Sequence, residues 1–582
     1  MVKSFILTNT KKTFLSPSFK TNKDYKVYHF SNWSLYLNDI QTSFENCITD
    51  SSICKSVLIG SIIYKNKFGN DALKLILEDF NNQSLDVTLT KGNFIILIWD
   101  DQKWTILKDR LGVQQLFQTN DGYCFSNSFL TLLTSSGKKY KLNQEAIDEK
   151  LTTGFLTGED TLVEGIKKVE RHFPYRVDEN EISLLTYPEH SLEIDIHNNG
   201  KNKSIESNIG VLQDYFKELN KAKQSLKGDV GLSSGFDCRL ILAAAKNTLD
   251  IPLHIHSHNT KGVHDKEIKY ARKIAEVYGA DIHLVPTKKL EDAEEDLIKK
   301  TLQENVAFFD GRSARHLGSF SETYTPWYKK ASMGNADYSL NGLGGEIYRD
   351  SYFMGNRNLK WEDWAKRFLF FPLSECAVAN EQKMLDTSYR IKEKIEKRLN
   401  TNFDKADLFK THAHYGLIKM PDCNGSLAQA YSTVADFYLP FIEYNQVMEA
   451  LKAVPYLGIG GSYQAKMITQ LSPEVAAVGS HYGFAFDKLS MKYLLWSYIK
   501  SLGPAQTREK LVKEKLMKKL ETIEVQKFLD FVENSNYLKT IKSALKERFP
   551  EMDFDLMMSH NKHRRINLFL GTFLLEFKDY ID

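Results

Sequence analysis

The chain predicts a two-part α/β protein: a strand-rich N-terminal region, then a doubly wound parallel sheet carrying a largely helical remainder. Three observations lead there. The first ~180 residues are dominated by short β-branched and apolar runs. Gly228–Pro286 alternates strand and helix signals, the pattern of a parallel sheet. From Trp361 onward apolar residues recur mostly at helical spacing.

In the N-terminal region, Ser56–Tyr64 (S-V-L-I-G-S-I-I-Y) and Gly92–Asp100 (G-N-F-I-I-L-I-W-D) read as buried strands. Asn70–Phe80, between them, has helical spacing. A strand over Trp104–Leu107, a D-R-L-G turn at Asp109–Gly112 and a strand near Gln115–Gln118 follow. Asp121–Gly122 then reads as a hairpin turn feeding a strand that ends near Ser126. Asn198–Asn202 is turn-rich and polar, and Ile205–Leu226 has the spacing of a helix. The division falls close to 190–205, giving regions 1–195 and 205–582.

The second region opens on Gly228–Lys246, G-D-V-G-L-S-S-G-F-D-C-R-L-I-L-A-A-A-K. Val230–Leu232 suits a short buried strand, and Arg239–Lys246 is rich in helix formers. A strand that turns sharply into a helix presents unpaired N–H groups and a positive dipole end, which suits phosphate. Gly235 permits close backbone approach, and Ser233 and Ser234 add hydroxyl donors. Asp237 would oppose phosphate directly, so its expected work is to hold a bridging metal ion. No G-K-[ST] follows, so this is not a Walker A loop.

Ile251–Thr260 reads as a second strand, reached by a right-handed crossover. His254, His256 and His258 alternate there and share one face, open to metal binding or to polar packing. Asp265–Gly279 reads as a capped helix and Asp281–Pro286 as a third strand. The ligand of such a sheet belongs at the carboxyl ends of its strands. Tyr338–Tyr352 runs from an apolar segment into Gly342, Gly344 and Gly345, with Glu346 next. The glycines let backbone approach a phosphate or ribose, and Glu346 is expected as a second metal ligand opposite Asp237.

Trp361–Phe371 and Leu385–Leu399 are amphipathic. Glu443 precedes a helix and reads as its cap. Thr507–Phe549 reads as a solvated Lys/Glu-rich coat, and Arg564–Phe577 as a final amphipathic helix docked on the core.

The Ser233–Cys238 loop resembles the S-G-G-x-D-S pyrophosphate loop of the asparagine synthetase-like and ATP-pyrophosphatase families. Ser234 stands at the first Gly of that motif and Cys238 at its last Ser. G-N-F-I-I-L-I-W-D, D-R-L-G-V-Q-Q-L-F, Y-C-F-S-N-S and Leu151–Val169 resemble, in that order, the family's glutaminase-type N-terminal domain. Tyr338–Tyr352 and Asp436–Pro455 resemble later family segments. The resemblance, to the class B asparagine synthetase, β-lactam synthetase and lasso peptide cyclase type, implies an Ntn-type sandwich of two antiparallel sheets between helices. It implies a second, ATP-pyrophosphatase domain.

It also implies ATP and magnesium as cofactors, and a carboxylate activated as an acyl-adenylate and passed to an amine. On that basis Leu232 and Gly342 border the nucleotide, and Ser233, Ser234, Gly235, Phe236 and Cys238 cradle pyrophosphate. Asp237 and Glu346 would hold the metal. His481 stands where the family has a Lys facing developing charge, with Lys466, Lys488 and Lys492 as substitutes. Active glutaminases of the family carry Cys after the initiator Met; here it is Val2, which has no nucleophilic atom. The amine is therefore expected from elsewhere, giving a lactam, a macrocycle, or a modified natural product or surface sugar. A catalytically inactive scaffold or regulatory protein is the alternative.

Composition bounds the partners. A net charge of +3 on 582 residues gives no warrant for nucleic-acid binding. No uncharged apolar run nears the ~20 residues of a membrane span. Six cysteines without a C-x-x-C pair suit a reducing cytoplasm. The expected partner is a small-molecule or peptide carboxylate; a natural-product or peptide-maturation partner protein and a homodimer are left open.

Overall fold

A computed structural model of the chain describes residues 4–38, 47–50, 55–100, 103–169, 175–177, 182–184, 200–259, 266–286, 293–312, 325–371, 374–378, 381–502, 514 and 522–582. Val2, the capping Asp265, the 187–199 linker and most of 507–521 lie outside these residues.

The N-terminal runs build two antiparallel sheets. In one, the strand order is Ile166–Lys168, Phe117–Thr119, Cys124–Ser126, Phe5–Asn9, Trp33–Asn38, Tyr25–Phe30. In the other it is Ile182–Leu184, Tyr175–Val177, Trp104–Lys108, Lys91–Trp99, Lys55–Tyr64, Cys47–Asp50. Alternation decides the layering. Val57, Ile59, Ile95 and Leu97 point inward onto Phe5, Leu7, Leu35 and Leu37 of the facing sheet. Leu58, Ile62, Ile96 and Ile98 point outward and pack on Ala72, Leu73 and Ile76 of helix Gly69–Asn81. Burial on both faces is why these strands read as continuous apolar runs. Ile6, Tyr36 and Phe117 on the far side of the first sheet meet Phe129, Leu132 and Ile147 of two more helices. The result is two antiparallel sheets between helices, as expected.

The strand expected near Gln115–Gln118 begins later, at Phe117. Asp109 explains the shift: its carboxylate accepts the N–H groups of Val113 at 2.7 Å and Gln114 at 2.8 Å, holding them in the turn. Burial pushes this carboxyl up to about 6 against those hydrogen bonds.

The second region holds a five-stranded sheet, every pairing parallel, in the order Ile282–Pro286, His254–Asn259, Gly228–Gly231, Tyr338–Leu340, Asp436–Tyr438. Strand, crossover helix Phe236–Lys246, strand, helix Lys266–Tyr278 and strand follow the sequence expectation. Chain order reverses between Gly228–Gly231 and Tyr338–Leu340, so the turns leaving these two strands lie side by side.

Three helical expectations need correction. Asn561–Glu576 buries Ile566, Leu568, Phe569, Leu570 and Phe573, so it is a core helix rather than an amphipathic one. Asn536–Arg548, expected as a solvated coat, buries Leu538, Ile541 and Leu545 against it. Glu443 stands at the N-cap position of Tyr444–Lys452 but makes no capping hydrogen bond. Its Oε1 instead accepts the Gly92 N–H at 2.8 Å, beside a cavity of about 470 Å³ between the two regions. Burial there pushes the Glu443 carboxyl up to about 8.

Asp310 makes a second bond between the regions. Its carboxylate accepts from the Ser128 hydroxyl at 2.6 Å and from the N–H groups of Phe129 at 2.7 Å and Leu130 at 3.0 Å. These are the orphan donors that open helix Phe129–Ser135.

Candidate functional site

A doubly wound parallel sheet takes its ligand at the carboxyl ends of its strands. Strand Gly228–Gly231 ends in Leu232, whose N–H donates to the His256 carbonyl at 2.8 Å. The chain then turns through Ser233–Gly235 into the helix. The Ser233 hydroxyl accepts the Gly235 N–H at 3.2 Å, so the turn is ordered from within. Phe236 is buried and stacks on Phe486, with ring centroids 4.0 Å apart at 10°.

The neighbouring turn, Gly342–Tyr348, presses against this one. A Cβ on Gly342 would lie 3.1 Å from the Cys238 nitrogen, and one on Gly345 only 2.3 Å from Asp237 Oδ1. No side chain fits at Gly345 while Asp237 keeps its place, which is the physical reason for the glycines. The two turns, about a hundred residues apart in sequence, are one structural unit.

Asp237 and Glu346 reach the same group, and it is Arg349. Arg349 donates to both oxygens of Asp237, from Nη1 at 2.5 Å and Nη2 at 3.0 Å. Glu346 Oε1 lies 3.4 Å from Nη2. Gln464 donates to Asp237 Oδ1 at 2.9 Å, and the Tyr415 hydroxyl donates to Glu346 Oε2 at 2.6 Å. All four carboxylate oxygens therefore face a donor. Among the described residues, no group of three or more His, Cys, Asp or Glu is placed to hold a metal ion. As folded, the Arg349 guanidinium holds the position between Asp237 and Glu346 where the family resemblance implies a magnesium ion.

His481 lies on the first turn. Its ring Nδ1 is 2.7 Å from the Ser234 hydroxyl, and its backbone N–H donates to the same oxygen at 3.1 Å. Ser234 is fully buried, so its hydroxyl orients His481 instead of facing the crevice. Lys466, Lys488 and Lys492 are exposed. Cys238 Sγ is neutral, since burial pushes the thiol up to about 11.

Sequence reasoning missed four residues that hold the site: Arg349, Gln464, Tyr415 and Arg239. Arg239 is fully buried and donates to the carbonyls of Ser234 at 3.1 Å, Gly479 at 2.9 Å and Val478 at 2.5 Å. It bolts the turn to the segment that carries His481. Its position one turn into the helix was the available signal.

The three histidines share a face, as expected, and that face is used for packing. His256 Nδ1 lies 2.7 Å from Asp229 Oδ1, and Lys329 donates to Asp229 Oδ2 at 3.1 Å. His258 pairs with the Tyr328 hydroxyl at 3.0 Å, and His254 with the Ser332 carbonyl at 3.3 Å. Tyr328, Lys329 and Ser332 all belong to helix Pro326–Met333.

Comparison with known proteins gives one informative match. Residues 76–188 match the family model of a glutamine amidotransferase domain. No curated protein matches the chain. Among solved structures, the chain is similar to the allosteric regulatory enzyme of purine biosynthesis, at 10% identity and a TM-score of 0.20, covering 49% of this chain and 74% of that one. It is also similar to glutamine phosphoribosylpyrophosphate amidotransferase from B. subtilis complexed with ADP and GMP, at 9% identity and a TM-score of 0.20, covering 49% and 84%. At that score neither likeness carries an argument. Residues 76–188 are thus similar to a glutamine amidotransferase-type domain, and they lie within the region built as two antiparallel sheets between helices.

Proposed function

We propose that the protein is an ATP-dependent ligase that forms amide bonds, activating a carboxylate as an acyl-adenylate and passing it to an amine. The observation that carries this reading is the meeting of two glycine turns, Ser233–Cys238 and Gly342–Glu346, at the point where strand order reverses. That crevice offers a helix N-terminus, the Ser233 hydroxyl and His481, which Ser234 orients, to a polyphosphate.

In this reading the substrate carboxylate attacks the α-phosphorus of ATP, and pyrophosphate leaves toward the Ser233–Gly235 turn. The amine then attacks the acyl carbon, loses its proton, and displaces AMP. His481, oriented by Ser234, faces the charge that develops at the leaving oxygens. Arg349 holds Asp237 and Glu346 in place, and no step is routed through a metal ion. The amine comes from the substrate or from solution. The acyl substrate is a small-molecule or peptide carboxylate.

The test is ATP binding by titration calorimetry, followed by pyrophosphate release with candidate carboxylates. Ser233→Ala and Ser234→Ala are expected to weaken ATP binding several-fold. A full-length, folded protein that binds no ATP, with or without magnesium, would overturn the reading and leave a scaffold role.

A further inference from the structure

A second cavity, of about 40 Å³, lies between helix Gln144–Thr153 of the N-terminal region and the segments around Arg312 and Asp422. It has room for roughly three waters. Its charged lining is Lys150, Lys168, Arg312, Asp160 and Asp422, and the rest is largely apolar, with Phe117, Phe129 and Phe155 as walls.

The charges do not balance. Asp422 accepts from Lys168 at 2.7 Å, from the Gly158 N–H at 3.1 Å, and from Arg398. Asp160 pairs with Lys394 at 2.7 Å. Arg312 spends its Nη groups on Asp310 at 3.1 Å, on Gln429 at 2.7 Å, and on Gln115. Its buried Nε–H has no acceptor. Lys150 is 2% exposed, and its ammonium lies 5.6 Å from the centre of the Phe569 ring. Asp422 is thus fully engaged and Asp160 is paired with Lys394, while Lys150 has no carboxylate partner among the described residues and one guanidinium N–H has no acceptor. An uncompensated buried charge is strongly unfavourable.

We propose that this cavity binds one small monoanion of halide size, held between Lys150 Nζ and Arg312 Nε. The small volume and the phenyl walls exclude a polyvalent or hydrated anion. The anion would join the N-terminal sandwich, through Lys150, to the second region, through Arg312. Burial and the nearby Arg312 push the Lys150 ammonium down to about 8, which still leaves it mostly charged at pH 7. The inference is independent of the nucleotide reading.

The experiment compares thermal unfolding of the full chain in sodium chloride, sodium bromide and sodium gluconate at equal ionic strength. It adds anomalous diffraction from crystals grown in bromide. The expected result is a saturable rise in Tm with chloride or bromide that gluconate does not give, and a bromide peak between Lys150 and Arg312. Lys150→Met is expected to lose the halide-dependent rise while remaining folded in gluconate. Equal Tm values in all three salts, with no bromide peak, would mean that the cavity holds water only and would overturn the proposal. Should Lys150→Met fail to fold, the wild-type titration and the bromide peak still decide.

Discussion

Arg349 forks onto Asp237, with one N–H at 2.5 Å and the other at 3.0 Å from the two carboxylate oxygens. A guanidinium is always charged and its planar fork matches a carboxylate, so this pair fixes the first helical turn of the site. Arg349→Met leaves Asp237 and Glu346 without their shared cation. The expected cost is about 2–3 kcal/mol, given that the side chains keep some solvent contact. Urea unfolding measures it. Arg349→Lys, which restores charge but not the fork, should fall between the two. An Arg349→Met protein as stable as wild type would show that the fork does not hold the turn.

Gly345→Ala tests the contact between the turns. Its methyl would sit 2.3 Å from Asp237 Oδ1, so either Asp237 or the turn must move. A loss of about 1–3 kcal/mol is expected. If the crevice binds ATP, affinity should fall with it, because the Arg349 fork is disturbed. Unchanged stability would mean that the two turns are not rigidly coupled.

Glu443 gives a pH signature. Its folded carboxyl is pushed up to about 8, above its unfolded value. Below the unfolded value both states hold the proton and nothing is lost. Between there and about pH 8 folding takes up a proton, so stability falls as pH rises. Glu443→Gln removes that dependence. The variant should gain on wild type between pH 5 and pH 9 by about 2 kcal/mol, discounted for the solvent that reaches the cavity. Urea unfolding across that range reads it, and parallel pH profiles for the two proteins would refute it.

Asp310 offers the largest effect. Asp310→Ala strips three hydrogen bonds from the start of helix Phe129–Ser135 and leaves buried Arg312 without its carboxylate. A loss of about 3–5 kcal/mol is expected. Thermal unfolding with limited proteolysis should show the N-terminal sandwich loosened from the second region. A loss under about 1 kcal/mol would rule out this anchor role.

Much of the frame was legible because it rests on local rules. The strand runs at Ser56–Tyr64 and Gly92–Asp100, the helix after Gly235 and the parallel strands all follow from periodicity and breakers. Likeness to known loops singled out His481, but not the Ser234 hydroxyl that its ring meets. What resisted reading depends on partners far away in the chain. Arg349 finds Asp237 across 112 positions, and Gln464 finds it across 227. Neither leaves a pattern in its own neighbourhood. Glu443 misled for the same reason: a helix does begin there, but its carboxylate answers to Gly92, 351 residues earlier.

Strand Asp436–Tyr438 lies at the outer margin of the parallel sheet, where a bare row of amides invites pairing with foreign chains. The Phe437 N–H is instead taken by the Ser61 hydroxyl of the N-terminal sandwich, at 2.9 Å. The sandwich is therefore a shield against aggregation for its companion. A second region cut free of the sandwich should therefore expose that margin and self-associate.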